Sequence, residues 1–280
     1  MTLIGGIRYN PRRTLADEGI MPEQVSTPVR APLEEYGERY FQSYNYADRP
    51  LGRYSMYWFA RRYYARLVRR FAPAHLQTGR LLELGTGLGH LLGLLADRFT
   101  CVGIDIAHYA AVQTQRNAPR ATALVASADR LDIFADCSFD VVVALHLVEH
   151  LADPQGCLRH VSRILVEGGL FLFVTPNPIY VLRPLKHPER TPDAIAKDPT
   201  HINVHPPQVW RRWSEESGFR VLRHFGDGLW DVPYLPLIPR AIQFALFGFP
   251  SLLQVMSGRA LIPTMLGVNQ IVIARKEHPV

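Results

Sequence analysis

The run Leu81-Leu82-Glu83-Leu84-Gly85-Thr86-Gly87-Leu88-Gly89-His90 sets three closely spaced glycines between two apolar stretches. Glycines there let the chain turn sharply and let a ligand approach bare main chain, and a helix starting at that point offers unpaired N–H groups. That chemistry is a cofactor crevice. A dinucleotide fingerprint would read G-x-G-x-x-G, but His90 stands where its third glycine belongs, which disfavours nicotinamide and flavin cofactors. A second acid, Asp105 in Val102-Gly103-Ile104-Asp105-Ile106, follows Gly85 by 20 residues. A carboxylate at a second strand's tip accepts both hydroxyls of a nucleoside ribose. Alone, the glycine run is a tight strand-to-helix turn; with the acid and the strand order it reads as a nucleoside site.

These residues need a sheet edge to hold them. Short β-branched runs alternate with longer amphipathic ones, without an internal repeat, which is the pattern of an α/β fold with a parallel sheet wrapped by helices. The pattern predicts strands over 80–84, 101–106, 123–127, 139–145, 170–175, 219–224 and 268–274. It predicts helices over 54–71, 90–99, 109–117, 154–165 and 207–217. Residues 1–30, rich in Gly and Pro, are expected to form a loose tail without the pattern of a signal peptide, and 31–79 a helical cap. Residues 80–280 are expected to form the cofactor domain, with 226–267 inserted as a lid or interaction surface.

The segment from Arg80 to Asn177 resembles the class I S-adenosylmethionine-dependent methyltransferases that act on small molecules. Phe134-Ala135-Asp136-Cys137-Ser138-Phe139-Asp140-Val141-Val142 resembles the lead into that family's fourth strand. Glu149-His150-Leu151 with Asp153-Pro154 resembles the start of its next helix. Arg163-Ile164-Leu165-Val166-Glu167-Gly168-Gly169 resembles the turn into its fifth strand, and the run from Gly267 to Lys276 its antiparallel last strand. The resemblance implies a Rossmann-like seven-stranded, mostly parallel sheet and S-adenosylmethionine as cofactor. It implies Glu83, Gly85, Thr86, Gly87 and Gly89 around the aminoacyl part, Asp105 on the ribose and Ile106 on the adenine. It also implies an acid near the third strand's end on the adenine amino group, for which Asp129, beside Ala128, is chosen over Asp132.

A sulfonium methyl is already electrophilic, so the protein must align an acceptor and take its proton. Helical spacing in His146-Leu147-Val148-Glu149-His150 brings His146, Glu149 and His150 together at the sheet's carboxyl edge. His150 and His146 are candidate catalytic groups, and His146 is also placed to touch the cofactor. The triple is similar to the Glu-x-x-Glu-His metal site of the ubiquinone-biosynthesis O-methyltransferases, with His146 replacing the first Glu. A divalent metal on His146, Glu149 and His150 is one reading and a plain helix start the favoured one. His201, in Asp198-Pro199-Thr200-His201, is a candidate base or substrate contact, or else part of a capping loop.

Lys plus Arg number 31 against 25 Asp plus Glu, a net charge of +6, too mild for a dedicated nucleic-acid binder. No Pro-Pro-aromatic motif follows the fourth predicted strand, and nucleic acid is not expected as a partner. Of the 12 arginines of residues 1–79, five (Arg61, Arg62, Arg66, Arg69 and Arg70) lie on the first long predicted helix, read as a cap with its arginines in water. Three cysteines without a C-x-x-C pair suggest neither disulfides nor structural zinc and fit a reducing cytosol. Residues 229–256 carry only Asp231 and Arg240 as charges, and their prolines interrupt any membrane span. A hydrophobic lid or homodimer contact is expected there, with peripheral membrane contact next. The expected function is O-methylation of a small or lipid-linked acceptor such as a quinol, phenol, polyketide, sugar or glycolipid. The alternative is a non-catalytic module that binds S-adenosylmethionine or its spent product and contacts a protein or membrane.

Overall fold

The computed structural model describes residues 2–4, 7–9, 38–43, 55–73, 79–186 and 198–277. Its centre is a seven-stranded sheet of β3 (Arg80–Leu84), β4 (Thr100–Asp105), β5 (Thr122–Val125), β6 (Phe139–Leu145), β7 (Leu165–Pro176), β8 (Phe219–Gly226) and β9 (Asn269–Lys276), in the order β5-β4-β3-β6-β7-β9-β8. β9 runs antiparallel to both β7 and β8, and β3, β4, β5, β6 and β7 pair in parallel. This is the expected Rossmann-like arrangement. The strand order reverses between β3 and β6, which opens a crevice beyond their carboxyl ends.

Central strands of such a sheet are covered on both faces and so read as unbroken apolar runs. Along β6, Val142 and Ala144 enter one core with Leu82, Leu84, Phe171, Phe173 and Trp210. Val141, Val143 and Leu145 enter the opposite core with Leu81, Leu172, Ile271 and Leu67. Helices α3 (His90–Leu95), α4 (His108–Asn117), α5 (Pro154–Ile164) and α6 (Pro207–Glu216) cover the sheet, and α2 (Met56–Phe71) packs its buried Tyr63, Tyr64, Leu67 and Val68 on it.

Several boundaries differ from the sequence reading. Glu149 and His150 do not begin a long helix: Val148–His150 is a single 3-10 turn, and α5 starts at Pro154, where the Asp153 side chain accepts the Gly156 N–H at 2.7 Å. Proline at the first helical position and an aspartate cap define that start. Within the stretch expected as a loose tail, β1 (Thr2–Ile4) and β2 (Ile7–Tyr9) pair as an antiparallel hairpin. The rest of that stretch, like residues 187–197, lies outside the described residues, and α1 (Glu38–Ser43) belongs to the expected cap. The insert contains an unforeseen helix, α7 (Arg240–Ser257), with Pro250 inside it. Register places Gly226 opposite Gln270 and Asn269 opposite Pro176, so the insert is rooted at the same sheet edge as the crevice.

Gly89 shows how tightly that edge is built. It caps α3 at φ 74°, and a Cβ there would lie 2.7 Å from the Cα of Thr114. Gly168 has a similar φ of 73° with nothing within 4 Å of an added Cβ. Gly168→Ala therefore carries only the left-handed strain of about 1–2 kcal/mol, and Gly89→Ala adds about 1–3 kcal/mol of overpacking. Urea unfolding of the two variants measures the difference; equal losses would contradict the close packing of the loop on α4.

Candidate active site

The loop from Gly85 to Gly89 leaves β3, and its first two N–H groups donate to the Ile104 carbonyl on β4 at 2.9 and 3.1 Å. Gly87 adopts φ 53°, a left-handed conformation that suits glycine, and this turns its N–H onto Asp105 Oδ2 at 2.9 Å. The Ala107 N–H donates to Oδ1 of the same carboxylate, also at 2.9 Å. Asp105 is thus fixed at the tip of β4 by main chain alone. Burial pushes its carboxyl up to about 6, even though the N–H groups of Ala107, Gly87 and Ile106 pull the other way.

In front of this carboxylate lies a cleft of about 1030 Å³, counted to its open mouth. Of the residues expected around a cofactor, Gly85, Thr86, Gly87, Asp105, Ile106, Ala128, Asp129 and His146 line it. Asp129 is held by a mutual pair with Ser127, whose hydroxyl donates to Oδ2 at 3.0 Å, whereas Asp132 is exposed outside the cleft. Glu83 and Gly89, expected around the aminoacyl part, do not line the cleft itself. Glu83 sits inside the sheet, where burial pushes its carboxyl up to about 8 with Arg61 opposing, and Gly89 stands behind the loop against α4.

The cleft also takes walls that the sequence reading missed. Tyr40 and Phe41 of α1 and Arg61 of α2 line it, with His90, whose imidazole burial and Arg61 together push down to about 4. The signal for Arg61 was present: it shares a helical stripe with Tyr64, Ala65 and Val68, all buried. Arg61 thus sets a guanidinium on the cleft wall, where an anionic ligand group can meet it.

Beyond β6, His146 has φ 54° and donates its N–H to the Val174 carbonyl at 2.9 Å. Its Nδ1 stands 3.5 Å from Glu149 Oε1. Glu149 is fully buried; burial pushes its carboxyl up, but His146, His150 and His201 outweigh it and hold the group below its ordinary value. His150 is fixed by the Asp198–His201 loop. Its Nδ1 lies 3.1 Å from the Thr200 carbonyl and 2.9 Å from Thr200 Oγ1, which itself donates to Asp198. A carbonyl only accepts, so the Thr200 contact favours the tautomer that carries a proton on Nδ1. His150 lines the cleft; His201 does not, and packs behind it with ring centroids 4.8 Å apart. The expected metal set is also altered. Glu149, His150 and His201 offer ligand atoms within 4.8 Å of one another, and His146 is not in that group.

A family model described as a methyltransferase domain matches residues 57–224, more than half the chain. The chain belongs to the class I S-adenosylmethionine-dependent methyltransferase family. A Mycobacterium tuberculosis protein described as a probable S-adenosylmethionine-dependent methyltransferase is 30% identical over 178 residues, 62% of this chain and 58% of that one. A phosphatidylethanolamine N-methyltransferase of Cereibacter sphaeroides is 32% identical over 114 residues, 38% and 56% of the two chains. A ubiquinone biosynthesis O-methyltransferase of Paracidovorax citrulli is 31% identical over 110 residues, 37% and 46%. The chain thus spans about half the length of the curated relatives it matches. A solved methyltransferase of Thermotoga maritima superposes with a TM-score of 0.55 at 18% identity, over 85% of this chain and 97% of that one, a likeness of fold.

The family cofactor is S-adenosylmethionine, and the cleft fits it: a buried carboxylate at the tip of β4, a glycine-rich loop, and apolar walls at Ile106 and Ala128. On the expectation that Asp105 takes the ribose, accepting from two hydroxyls requires its ionised form. As pH falls through about 6 the carboxyl takes a proton, so affinity for S-adenosylhomocysteine drops below that pH and levels off above it. Calorimetry across pH 5–8 is expected to show this for the native chain. Asp105→Asn is expected to weaken binding by about 1–3 kcal/mol and to remove the step at pH 6. Unchanged affinity in that variant would displace the ribose from Asp105.

Proposed function

We propose that the protein methylates a hydroxyl on a small or lipophilic acceptor, with His150 as the general base. One observation carries this reading: a histidine whose Nδ1 lies 3.1 Å from a backbone carbonyl lines the same cleft as Asp105. When bound, S-adenosylmethionine supplies an electrophilic methyl on its sulfonium. Asp105 accepts the ribose hydroxyls, Arg61 pairs with the amino-acid carboxylate, and the loop N–H groups line the rest of that end. Asp129 would take the adenine amino group, and Ile106 and Ala128 would pack on the ring.

The acceptor hydroxyl points its hydrogen at His150 Nε2, which takes the proton as the oxygen gains its methyl. The imidazolium that results is stabilised by buried Glu149, whose carboxylate already faces three histidines. Thr200 holds the ring at its Nδ1 side, His201 packs against the ring, and His146 closes the cleft wall. His201 is thus a positioning residue. Relatives named for a membrane lipid and for a quinone support a lipophilic acceptor.

His150→Ala is expected to lower methyl transfer about 10²–10⁴-fold in a radiolabel screen of phenolic, quinol and glycolipid acceptors, with binding of S-adenosylhomocysteine retained. Transfer is expected to persist in excess chelator. Loss of activity on chelation, with rescue by added metal, would reassign Glu149, His150 and His201 as metal ligands. Cofactor binding with no transfer to any acceptor would favour a binding module.

A further inference from the structure

Helix α7 is oriented with its polar residues inward. Gln243, Ser251 and Gln254 are buried, together with Gly248. Gln243 accepts the N–H groups of Tyr234 and Leu235 at 2.7 and 3.0 Å and donates to the carbonyls of Leu235 and Ile238. Gln254 donates to the Gly226 carbonyl at 2.9 Å and accepts from Leu261 and Ile262. The two glutamines bind the helix to the body by hydrogen bonds to main chain.

The apolar side chains are left facing outward. Leu246, Phe249, Leu253 and Met256 are exposed by 62, 56, 50 and 60%, with Leu237 at 94% just ahead of the helix. Together with their apolar neighbours they present on the order of several hundred Å² of apolar surface, the size that marks an interaction site. No described helix is long and apolar enough to cross a membrane, so α7 is not a span.

Charge decides what covers this face. From Val232 to Lys276 the sequence has no Asp or Glu, and exposed Arg240 and Arg259 flank the two ends of α7. From α2, exposed Arg66 donates to the Val255 and Met256 carbonyls, and exposed Arg70 to that of Gly258. A two-fold contact with a second copy would bring these cations together with no carboxylate between Val232 and Lys276 to pair them; of the two acids earlier in the insert, Asp231 is buried and Asp227 half-buried. An anionic lipid surface offers the opposite charge for the arginines and an apolar layer for the helix face.

We propose that α7 lies in the interfacial layer of an anionic membrane, its apolar face in the acyl region and its flanking arginines at the headgroups. The insert is rooted at the carboxyl edge of the sheet beside Pro176 and Gln270, so the docked protein holds its cleft edge near the bilayer. The inference goes beyond methyl transfer and does not depend on it.

The test is sedimentation of the full chain with vesicles of phosphatidylcholine, alone or with roughly a third phosphatidylglycerol. Binding to the anionic vesicles is expected, weaker by about tenfold or more without phosphatidylglycerol and reduced by salt. Phe249→Gln with Leu253→Gln is expected to abolish it, with circular dichroism and S-adenosylhomocysteine affinity unchanged. Arg240→Gln with Arg259→Gln, which leaves the helix core intact, is expected to reduce the preference for anionic lipid. Failure to bind any vesicle, or binding indifferent to both variant pairs, would overturn the proposal. So would a dimer that Phe249→Gln with Leu253→Gln dissociates while vesicles capture nothing, since that assigns the face to a second copy.

Discussion

The hold of two main-chain N–H groups on the Asp105 carboxylate is the constraint from which the site is organised. To deliver the Gly87 N–H, the loop after β3 must fold back over the tip of β4, and that requires the left-handed turn at Gly87 and the close seat of Gly89 on Thr114. The loop is in turn held by two hydrogen bonds to Ile104 on β4. Sheet register, loop conformation and carboxylate position are therefore one structure, set before any ligand arrives. Such preorganisation spares a ligand the cost of ordering the groups that bind it.

A second preorganised unit stands across the cleft. Among the described residues neither oxygen of buried Glu149 has a hydrogen-bond partner, a costly arrangement unless positive charge lies close. Three imidazoles face it and hold its carboxyl below the ordinary value, and the Asp198–Thr200 loop holds Nδ1 of the one that lines the cleft. The burial cost of the carboxylate is thereby coupled to stabilising charge on His150. The two units sit on neighbouring strand tips, β4 and β6 flanking β3, where the parallel strands diverge.

What could be read from the sequence follows from which signals are local. The strands β3 and β6 were predicted to the residue because runs buried on both faces are continuous and apolar. The glycine run and Asp105 were legible because their spacing encodes one turn and one crossover. Arg61 was read as solvated, since a basic residue on an aromatic helix is ordinarily outside; its buried stripe at 64, 65 and 68 pointed the other way. His201 joins Glu149 and His150 only through tertiary folding, across about fifty residues, so no local pattern could show it. α7 was missed because its period is inverted: Gln243, Gln254 and Ser251 face the core, and Pro250 read as a breaker. Polar residues inside and apolar ones outside defeat a rule that assumes water on the far face.

The most direct measurement of the central claim is a crystal structure of the chain with S-adenosylhomocysteine. The account predicts both ribose hydroxyls within hydrogen-bond distance of the Asp105 carboxylate, adenine between Ile106 and Ala128, and the sulfur directed toward His146 and His150. An adenosyl group bound elsewhere, with Asp105 bonded only to Gly87 and Ala107, would contradict it.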